Sequence, residues 1–441
     1  MAPKWQGQCT ACSAWNTLEE AVVASQTAAG KSRVSSGGNA TASRVIKLSD
    51  VTVEDITRWP TGSTELDRTL GGGLVPGGVI LIGGDPGIGK STLTLQAIDA
   101  IAQSRRALYV TGEESAAQVA GRARRLSLDL QRIQVLAETG LEAIFSHVQS
   151  FQPDVVVIDS IQTLYSDAYN SAPGSVVQVR ECAAELVRYA KANNVAIIIV
   201  GHVTKEGTIA GPRVLEHLVD TVVYFEGEAG SNIRIIRALK NRFGAANEIG
   251  VFSMTEDGLR GVSNPSSLFL SRGQQQSAGN VVFPAIEGSR PLLVQVQALV
   301  DRTAGNPRRV CTGFDTQRLA MLLAVMNRHL GSQLGGFDVF INVVGGLKIN
   351  EPAADLAIIA AIWSSLMGKP IDAGICMFGE VGLGGEVRPV VGSALRIAES
   401  QKLGFKVAIS GSVNRQAQKS ADIRLEAVER VDAAIERLRN E

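Results

Sequence analysis

Residues 77–102 read GGVILIGGDPGIGKSTLTLQAIDAIA. This stretch opens with an apolar run, passes through GDPGIGKS at residues 84–91, and ends in a segment with helical periodicity. The central octet matches G-x-x-x-x-G-K-[ST] without a mismatch, in the strand–loop–helix context that this phosphate-binding motif requires. Backbone N–H groups of such a loop surround phosphate oxygens, and the helix that follows adds its positive dipole end. We therefore predict an α/β domain with a nucleoside triphosphate site at this loop.

Two side chains of the loop have distinct predicted roles. Lys90 reaches the β- and γ-phosphates of ATP, and Ser91 offers its hydroxyl to Mg²⁺. A chance glycine-rich turn is the alternative, but a strand, a loop and a helix in register argue against it. The predicted nucleotide-binding residues are Gly84, Asp85, Pro86, Gly87, Ile88, Gly89, Lys90, Ser91 and Thr92.

Polar groups also follow three other apolar runs. VVVID ends in Asp159, which we expect to complete the Mg²⁺ site. ALYVTGEES offers Glu113 or Glu114 as the base that deprotonates the attacking water, and we favour Glu113. IIIVGH ends in His202, a candidate sensor of the γ-phosphate, although a lone histidine more often makes a structural hydrogen bond. Together with the loop, these groups predict an ATP-hydrolysing site.

The pattern along the chain divides it into several ranges. Apolar runs that alternate with helical stretches indicate a parallel sheet buried on both faces, and DTVVYFEG and NIRIIRALK resemble an antiparallel hairpin at its edge. A second α/β unit follows, with a strand pair around VVFPAIEG and PLLVQVQALV and a helix near DTQRLAMLLAVMNRH. The predicted ranges are a cysteine-containing remnant at 1–20, a flexible linker at 21–50, a first domain at 51–265, a linker at 266–279 and a second domain at 280–441.

Composition limits the classes of function. The 441 residues, 45% of them hydrophobic, suffice for two or three domains with separate cores. The 43 basic and 43 acidic residues give no overall field towards nucleic acid, so any nucleic-acid binding must come from local patches. Five cysteines without a disulfide pattern indicate a reducing compartment. No apolar stretch approaches the ~20 residues that span a bilayer, and we expect a cytoplasmic protein without membrane association.

Further motifs resemble a known family. TGSTELDRTLGGGLVPGGV, just before the phosphate loop, resembles the same segment in the RecA-like ATPases, which include KaiC and the DnaB-type helicases. KNRFG at residues 240–244 and KWQGQC-x-x-C-x-x-WNTLEE at the start extend the resemblance to the bacterial RadA (Sms) family of DNA repair proteins. The resemblance spans nearly the whole chain. It implies an α/β fold with a RecA-like P-loop ATPase core followed by a Lon-protease-like α/β domain.

The resemblance also implies a function. Members of the family are DNA-dependent ATPases, helicase-like motors of recombination and repair. They bind single-stranded DNA and recombination intermediates, form homo-hexameric rings, and promote branch migration beside a RecA-type recombinase. Carried onto this chain, Lys240 and Arg242 would act in trans on a neighbour's nucleotide, as arginine fingers do. A solvated basic turn is the alternative for these two residues, and a KaiC-like signalling ATPase acting on a protein partner is the alternative for the chain.

Two loops are expected to face the channel of such a ring. They are residues 165–181, after the Asp159 strand, and residues 204–217, after His202. Phosphate contacts position a protein on DNA and are made by basic side chains. The DNA-contact candidates in these loops are Arg180, Lys205 and Arg213, although each can equally be a solvated charge.

The second domain resembles the proteolytic domain of Lon proteases, which use a Ser–Lys dyad. The serine's turn reads EPAAD here, so Ala353 takes the place of the nucleophile. GEVRPVVGSALRIAE puts Ala394 nearest the place of the lysine. Without a nucleophile and its base there is no covalent route, so we expect a catalytically silent scaffold that helps assemble the ring. A Lon-type protease is the alternative, and Arg308, Arg309 and Arg318 are further candidates for DNA contact.

The stretch CTAC places Cys9 and Cys12 in C-x-x-C spacing. A structural zinc site takes four protein ligands, and the family's ribbon has two such knuckles, of which this pair matches the second. Cys182, Cys311 and Cys376 lie far away in the sequence. The pair is therefore a zinc half-site, and zinc is expected only where the missing half is supplied.

Overall fold

The computed structural model describes most of the chain beyond its first 56 residues. The chain divides into two compact units, Met1–Val53 and Glu54–Glu441, and every helix and strand below belongs to the second. The predicted ribbon remnant and, apart from residue 47, the predicted 21–50 linker lie outside the described residues. The described ranges are residue 47 and residues 57–202, 214–227, 231–270, 277–303, 305–412 and 423–440.

A mixed sheet of nine described strands forms the centre of the first half of the described chain. The strands are β1 (Val79–Gly83), β2 (Ala107–Thr111), β3 (Gln134–Ala137), β4 (Val155–Asp159), β5 (Ala196–Val200), β6 (Thr221–Glu226), β7 (Ile233–Asn241), β8 (Ile249–Thr255) and β9 (Gly258–Gly261). Their order is β3-β2-β4-β5-β1-β6-β7-β8-β9. The pairs from β3 to β6 are parallel, which confirms the predicted parallel sheet. The predicted hairpin is also confirmed, because β6 and β7 pair in antiparallel orientation.

Helices cover both faces of this sheet. They are α1 (Thr64–Thr69), α2 (Lys90–Ile101), α3 (Ala116–Arg125), α4 (Leu141–Phe151) and α5 (Val176–Asn193). Successive side chains of a strand point to opposite faces, and β1 shows the consequence. Ile80 and Ile82 join the core cluster under α2, whereas Val79 and Leu81 join the cluster under α4 and α5. A strand buried on both faces needs the unbroken apolar run that the sequence has here.

Helix α5 begins earlier than the sequence predicts. We expected a loop through residue 181, but the helix starts at Val176 because the side chain of Ser175 accepts a hydrogen bond from the Gln178 backbone N–H. Such a cap satisfies one of the free donors of the first turn. Arg180 therefore lies on a helix and not in a loop.

A second sheet with its own helices follows. The strand pair predicted near VVFPAIEG and PLLVQVQALV is confirmed. The helix predicted near DTQRLAMLLAVMNRH is also confirmed. The strands are β10 (Asn280–Glu287), β11 (Arg290–Arg302), β12 (Arg309–Thr312), β13 (Phe337–Val343), β14 (Ile375–Phe378), β15 (Glu380–Val381), β16 (Val387–Arg388), β17 (Val407–Ser410) and β18 (Arg424–Ala427). The helices are α6 (Ser266–Phe269), α7 (Thr316–His329), α8 (Asp355–Met367), α9 (Ser393–Lys402) and α10 (Val431–Asn440). The sheet order is β12-β13-β11-β10-β14-β17-β18, with β15 and β16 paired separately.

The two sheets are joined by packing and by ion pairs. Ile235 of β7 and Val251 of β8 belong to the same core cluster as Phe283 of β10. The Arg290 guanidinium, at the start of β11, donates to the Glu65 carboxylate of α1 at 2.5 Å. The core of the second sheet thus extends onto β7 and β8 of the first sheet, and the domain boundaries at 51, 265 and 280 stay predictions. No helix within the described ranges is long and apolar enough to cross a membrane.

Candidate active site

The phosphate loop lies between β1 and α2, as predicted. Gly84 has φ +151°, and a Cβ at this position would lie 2.8 Å from the Phe225 Cβ, so the turn requires glycine. The Lys90 side chain curls into the loop, where its Nζ donates to the carbonyl oxygens of Gly84 at 2.8 Å and Asp85 at 2.9 Å. Lys90 is only 3% exposed. The loop therefore holds a buried cation at the N-terminus of a twelve-residue helix, an arrangement that fits a phosphate.

The charge of Lys90 depends on its surroundings. Burial lowers the pKa of this ammonium, and the carboxylates of Asp159, Glu113 and Asp85 act in the opposite direction. Desolvation disfavours a charged group, and nearby opposite charges favour it. The two predicted catalytic carboxylates thus help to keep the phosphate-binding lysine charged.

Sheet register brings the predicted strand-end groups together. Thr111 of β2 pairs with Asp159 of β4, and Asp159 pairs with Val200 of β5. Glu113 and His202 each follow two residues after their strand ends, so they lie on either side of Asp159. The carboxyl ends of parallel strands lie on the same side of a sheet, and the phosphate loop lies on this side as well.

Asp159 is held by a residue that the sequence analysis missed. The Tyr109 phenol donates a hydrogen bond to the Asp159 Oδ2. Burial raises the pKa of Tyr109 well above its usual value near 10, and the Asp159 charge adds to the effect. The phenol therefore stays protonated and remains a donor. The only signal in the sequence is a tyrosine inside an otherwise aliphatic strand, which needs a partner for its hydroxyl when it is buried.

The structure separates the two neighbouring glutamates. The Glu113 carboxylate accepts a hydrogen bond from the Ser160 hydroxyl at 2.5 Å and lies 3.1 Å from the His202 Nε2. The Glu114 carboxylate instead forms an ion pair with Arg122 on α3. Glu113 therefore belongs to the strand-end cluster beside Lys90, and Glu114 does not.

The KNRFG turn is held by contacts within its own chain. The Lys240 Nζ donates to the carbonyl oxygens of Glu216 at 2.7 Å and Val219 at 2.8 Å. The Arg242 Nη1 lies 3.2 Å from the Oδ1 of Asp220, which is a buried carboxylate. The Arg242 side chain is 53% exposed, so it remains open to solvent on its outer side.

This turn and the phosphate loop lie at opposite ends of the strands of the sheet. Asn241 pairs with Thr221, which pairs with Ile80 near the start of β1, whereas the phosphate loop begins after Gly83 at its end. Ile80 is four residue steps from Gly84, where the loop begins, which is about 13 Å along the strand. Within one chain, the KNRFG turn and the ATP site therefore face different ends of the sheet.

Two family models and several known proteins match this chain. Residues 42–208 match the family model of an AAA domain, and residues 331–436 match that of the Lon protease (S16) C-terminal proteolytic domain. The DNA repair protein RadA of Pseudomonas aeruginosa is 55% identical over 439 residues, covering 99% of this chain and 96% of that protein. The Escherichia coli protein of the same name is 52% identical over 415 residues, covering 93% and 90%.

This chain belongs to the RadA family. The predicted fold class, a RecA-like P-loop ATPase core followed by a Lon-protease-like α/β domain, is confirmed by the two matched family models. Among solved structures, a KaiC-like protein from Pyrococcus horikoshii is similar at a TM-score of 0.40 and 20% identity, covering 47% of this chain and 99% of that one. That likeness is too distant to bear on function.

In this RadA-family chain, the two positions that we predicted to match the Lon dyad both carry alanine. Ala353 lies in a short turn before α8 and is 4% exposed, and Ala394 lies in the first turn of α9. Neither side chain can act as a nucleophile or a base. The Ala353 backbone is also fixed, because its carbonyl accepts a hydrogen bond from the Gly379 N–H at 2.7 Å.

The three arginines considered for DNA contact in this domain have partners within the chain. Arg308 binds Asp338 through Nε at 2.9 Å and Nη2 at 2.6 Å. Arg309 Nη2 donates to the Leu334 carbonyl at 2.9 Å. Arg318 pairs with Asp355, which is fully buried.

The remaining predicted site residues lie either on the surface of α5 or outside the described residues. Arg180 forms an ion pair with Glu181 at 2.6 Å on the surface of α5. The other predicted DNA contacts and the zinc half-site lie outside the described residues, and these are Lys205, Arg213, Cys9 and Cys12. Where the chain is described, no group of three or more His, Cys, Asp or Glu side chains is placed to hold a metal ion.

Proposed function

We propose that this chain is an ATP-driven DNA motor of homologous recombination and repair. It hydrolyses ATP in response to single-stranded DNA and promotes branch migration of recombination intermediates, as a DnaB-type, helicase-like ring. The proposal rests mainly on where two groups of residues lie. Lys90, Asp159 and Glu113 lie together at the carboxyl ends of the parallel strands, whereas the KNRFG turn lies at the opposite ends. The name of its RadA relatives, DNA repair protein, supports the process in which it acts.

The residues of the ATP site divide the chemistry among them. Lys90 and the loop N–H groups bind the β- and γ-phosphates, and Ser91 with Asp159 would hold Mg²⁺. Mg²⁺, when bound, supplies positive charge to the phosphate oxygens. Glu113 accepts the proton of the attacking water; within the described ranges its Oε1 has hydrogen-bond partners and its Oε2 has none, which supports this role. His202 contacts the same carboxylate, and this contact supports a role in sensing the γ-phosphate through it.

The KNRFG turn supplies the second half of the site from a neighbour in a homo-hexamer. Its separation from its own phosphate loop supports action in trans. Arg242 is the more accessible of the two cations, because Lys240 donates to two carbonyl groups of its own chain. A cation that approaches the γ-phosphate only in the assembled ring couples hydrolysis to the arrangement of subunits.

DNA and protein partners complete the proposal. Arg180, Lys205 and Arg213 contact the phosphates of single-stranded DNA in the channel, and a RecA-type recombinase acts on the same intermediates. The ring works in the cytoplasm. The second domain has no peptidase activity, because Ala353 and Ala394 replace the dyad, and it serves as a scaffold for ring assembly.

ATP turnover with and without single-stranded DNA tests the motor. We expect stimulation by DNA and binding that weakens with salt, the logarithm of the affinity falling by about 0.7 per phosphate contact for each unit of log salt. Lys90→Ala should bind DNA but show no turnover above background. Turnover that DNA leaves unchanged, with no salt-sensitive binding, would instead favour a signalling ATPase that acts on a protein.

Mixing two inactive variants tests the action in trans. Lys90→Ala keeps the KNRFG turn but loses hydrolysis, and Arg242→Ala keeps the phosphate loop but loses the proposed finger. In a random equal mixture, about one interface in four combines an intact loop with an intact Arg242, so turnover should reappear on mixing. A mixture as inactive as its components would show that Arg242 does not act across an interface.

A further inference from the structure

Ser160 makes an unusual contact for a residue at the end of a buried strand. It follows Asp159, is 0% exposed, and its hydroxyl donates to the Glu113 Oε1 at 2.5 Å. That distance is typical of a charge-assisted hydrogen bond between a hydroxyl and a carboxylate. The His202 Nε2 lies 3.1 Å from the same oxygen. One carboxylate oxygen thus has two neighbours, while the Glu113 side chain as a whole is 43% exposed.

Backbone hydrogen bonds around Gly112 and Ser160 hold the two residues of this contact near each other. The Gly112 N–H donates to the Asp159 carbonyl at 3.0 Å, which ties the ends of β2 and β4 together. A Cβ at Gly112 would lie 2.0 Å from the Thr163 Oγ1, so a side chain at this position would push the two strand ends apart. The Thr163 hydroxyl in turn donates to the Ser160 carbonyl at 2.8 Å and fixes the turn that presents the serine.

We propose that Ser160 is a positioning residue for ATP hydrolysis, whose hydroxyl fixes the Glu113 carboxylate so that Oε2 faces the attacking water. The inference rests on the proposed role of Glu113 as the base. A glutamate has several rotatable bonds and populates several rotamers when nothing holds it. Small displacements of a catalytic group slow the chemical step strongly. The described hydrogen bonds of Ser160 do not include the phosphate loop, so its loss should not weaken nucleotide binding.

Ser160→Ala removes the hydroxyl without adding volume. We expect kcat for DNA-stimulated ATP hydrolysis to fall roughly 10- to 100-fold, with KM for ATP changed less than about twofold. Ser160→Thr keeps the donor and should retain more activity than the alanine variant. Ser400→Ala is the control, because Ser400 is also 0% exposed and donates at 2.8 Å, but to the Arg396 carbonyl in the second domain. Affinity for a fluorescent ATP analogue confirms that each variant is folded and binds nucleotide.

A double-mutant cycle with Glu113→Gln separates positioning from a general structural effect. Glu113→Gln alone should lower kcat by about 10²- to 10⁴-fold, as loss of a general base does. If Ser160 acts through Glu113, adding Ser160→Ala to that variant should change kcat less than about twofold. Equal slowing by Ser160→Ala in both backgrounds would overturn the positioning role while leaving the base in place. Wild-type turnover of Glu113→Gln would overturn the base and the positioning role together.

Discussion

The Arg290–Glu65 ion pair lies where the two sheets meet, and breaking it should destabilise the chain. Arg290 and Glu65 have side-chain exposures of 9% and 4%, and the same Glu65 oxygen accepts a hydrogen bond from the Val251 N–H at 2.8 Å. Arg290→Met keeps most of the apolar stem but leaves the carboxylate buried with one backbone donor. Removing one partner of a buried ion pair costs about 3–5 kcal/mol. The free energy of unfolding should fall by that amount.

Urea unfolding followed by circular dichroism measures this change. For a slope of about 3 kcal/mol per molar, the midpoint should drop by roughly 1 M or more. Arg260→Met is the matched control, since Arg260 pairs with Asp257 at the surface with side-chain exposures of 66% and 59%. Exposed pairs contribute about 0–1 kcal/mol. Adding Glu65→Gln to Arg290→Met removes the unpaired charge and should recover part of the loss. Equal midpoints for the Arg290 and Arg260 variants would refute the reasoning.

Three further predictions follow from single contacts. Tyr109→Phe removes the donor to Asp159, so the Mg²⁺ concentration for half-maximal ATP hydrolysis should rise roughly tenfold or more, measured by magnesium titration; an unchanged requirement would contradict this. Asp220→Ala leaves the buried Val79 N–H without its acceptor and should cost about 1–3 kcal/mol in urea unfolding, with unchanged affinity for ATP. Ala353→Ser buries a hydroxyl and should cost about 1–3 kcal/mol without producing casein cleavage, and any cleavage would show that the domain is not silent.

Local motifs made the first half of the chain predictable. The phosphate loop depends on glycines and a lysine that are adjacent in sequence, and the buried strands depend on unbroken apolar runs. The choice between Glu113 and Glu114 was harder, because it depends on Arg122, eight residues further along on α3. Two neighbouring side chains on a turn have no periodicity that assigns one of them to the site.

Other features needed tertiary information or a finer reading of the sequence. The early start of α5 had a signal, since SVVQ at residues 175–178 has the spacing of a capping box, but the glycine and proline before it favoured a loop. The contact of Ser160 with Glu113 had none, because it depends on the register of β2 against β4. The same is true of Ile235 and Val251, which lie in the ATPase sheet but pack in the core of the second domain.

The junction of the two sheets bears on how the second domain serves the proposed motor. The strand that carries the KNRFG turn, β7, contacts the second domain directly: the Arg237 Nη1 donates to the Glu287 carboxylate of β10 at 2.5 Å, three residues before Lys240. Side-chain exposures of 15% and 17% make this a largely desolvated pair. It ties β7, and with it the KNRFG turn, to the second domain. If neighbouring second domains set the geometry of the proposed ring, they also set the position of Arg242 relative to the next ATP site.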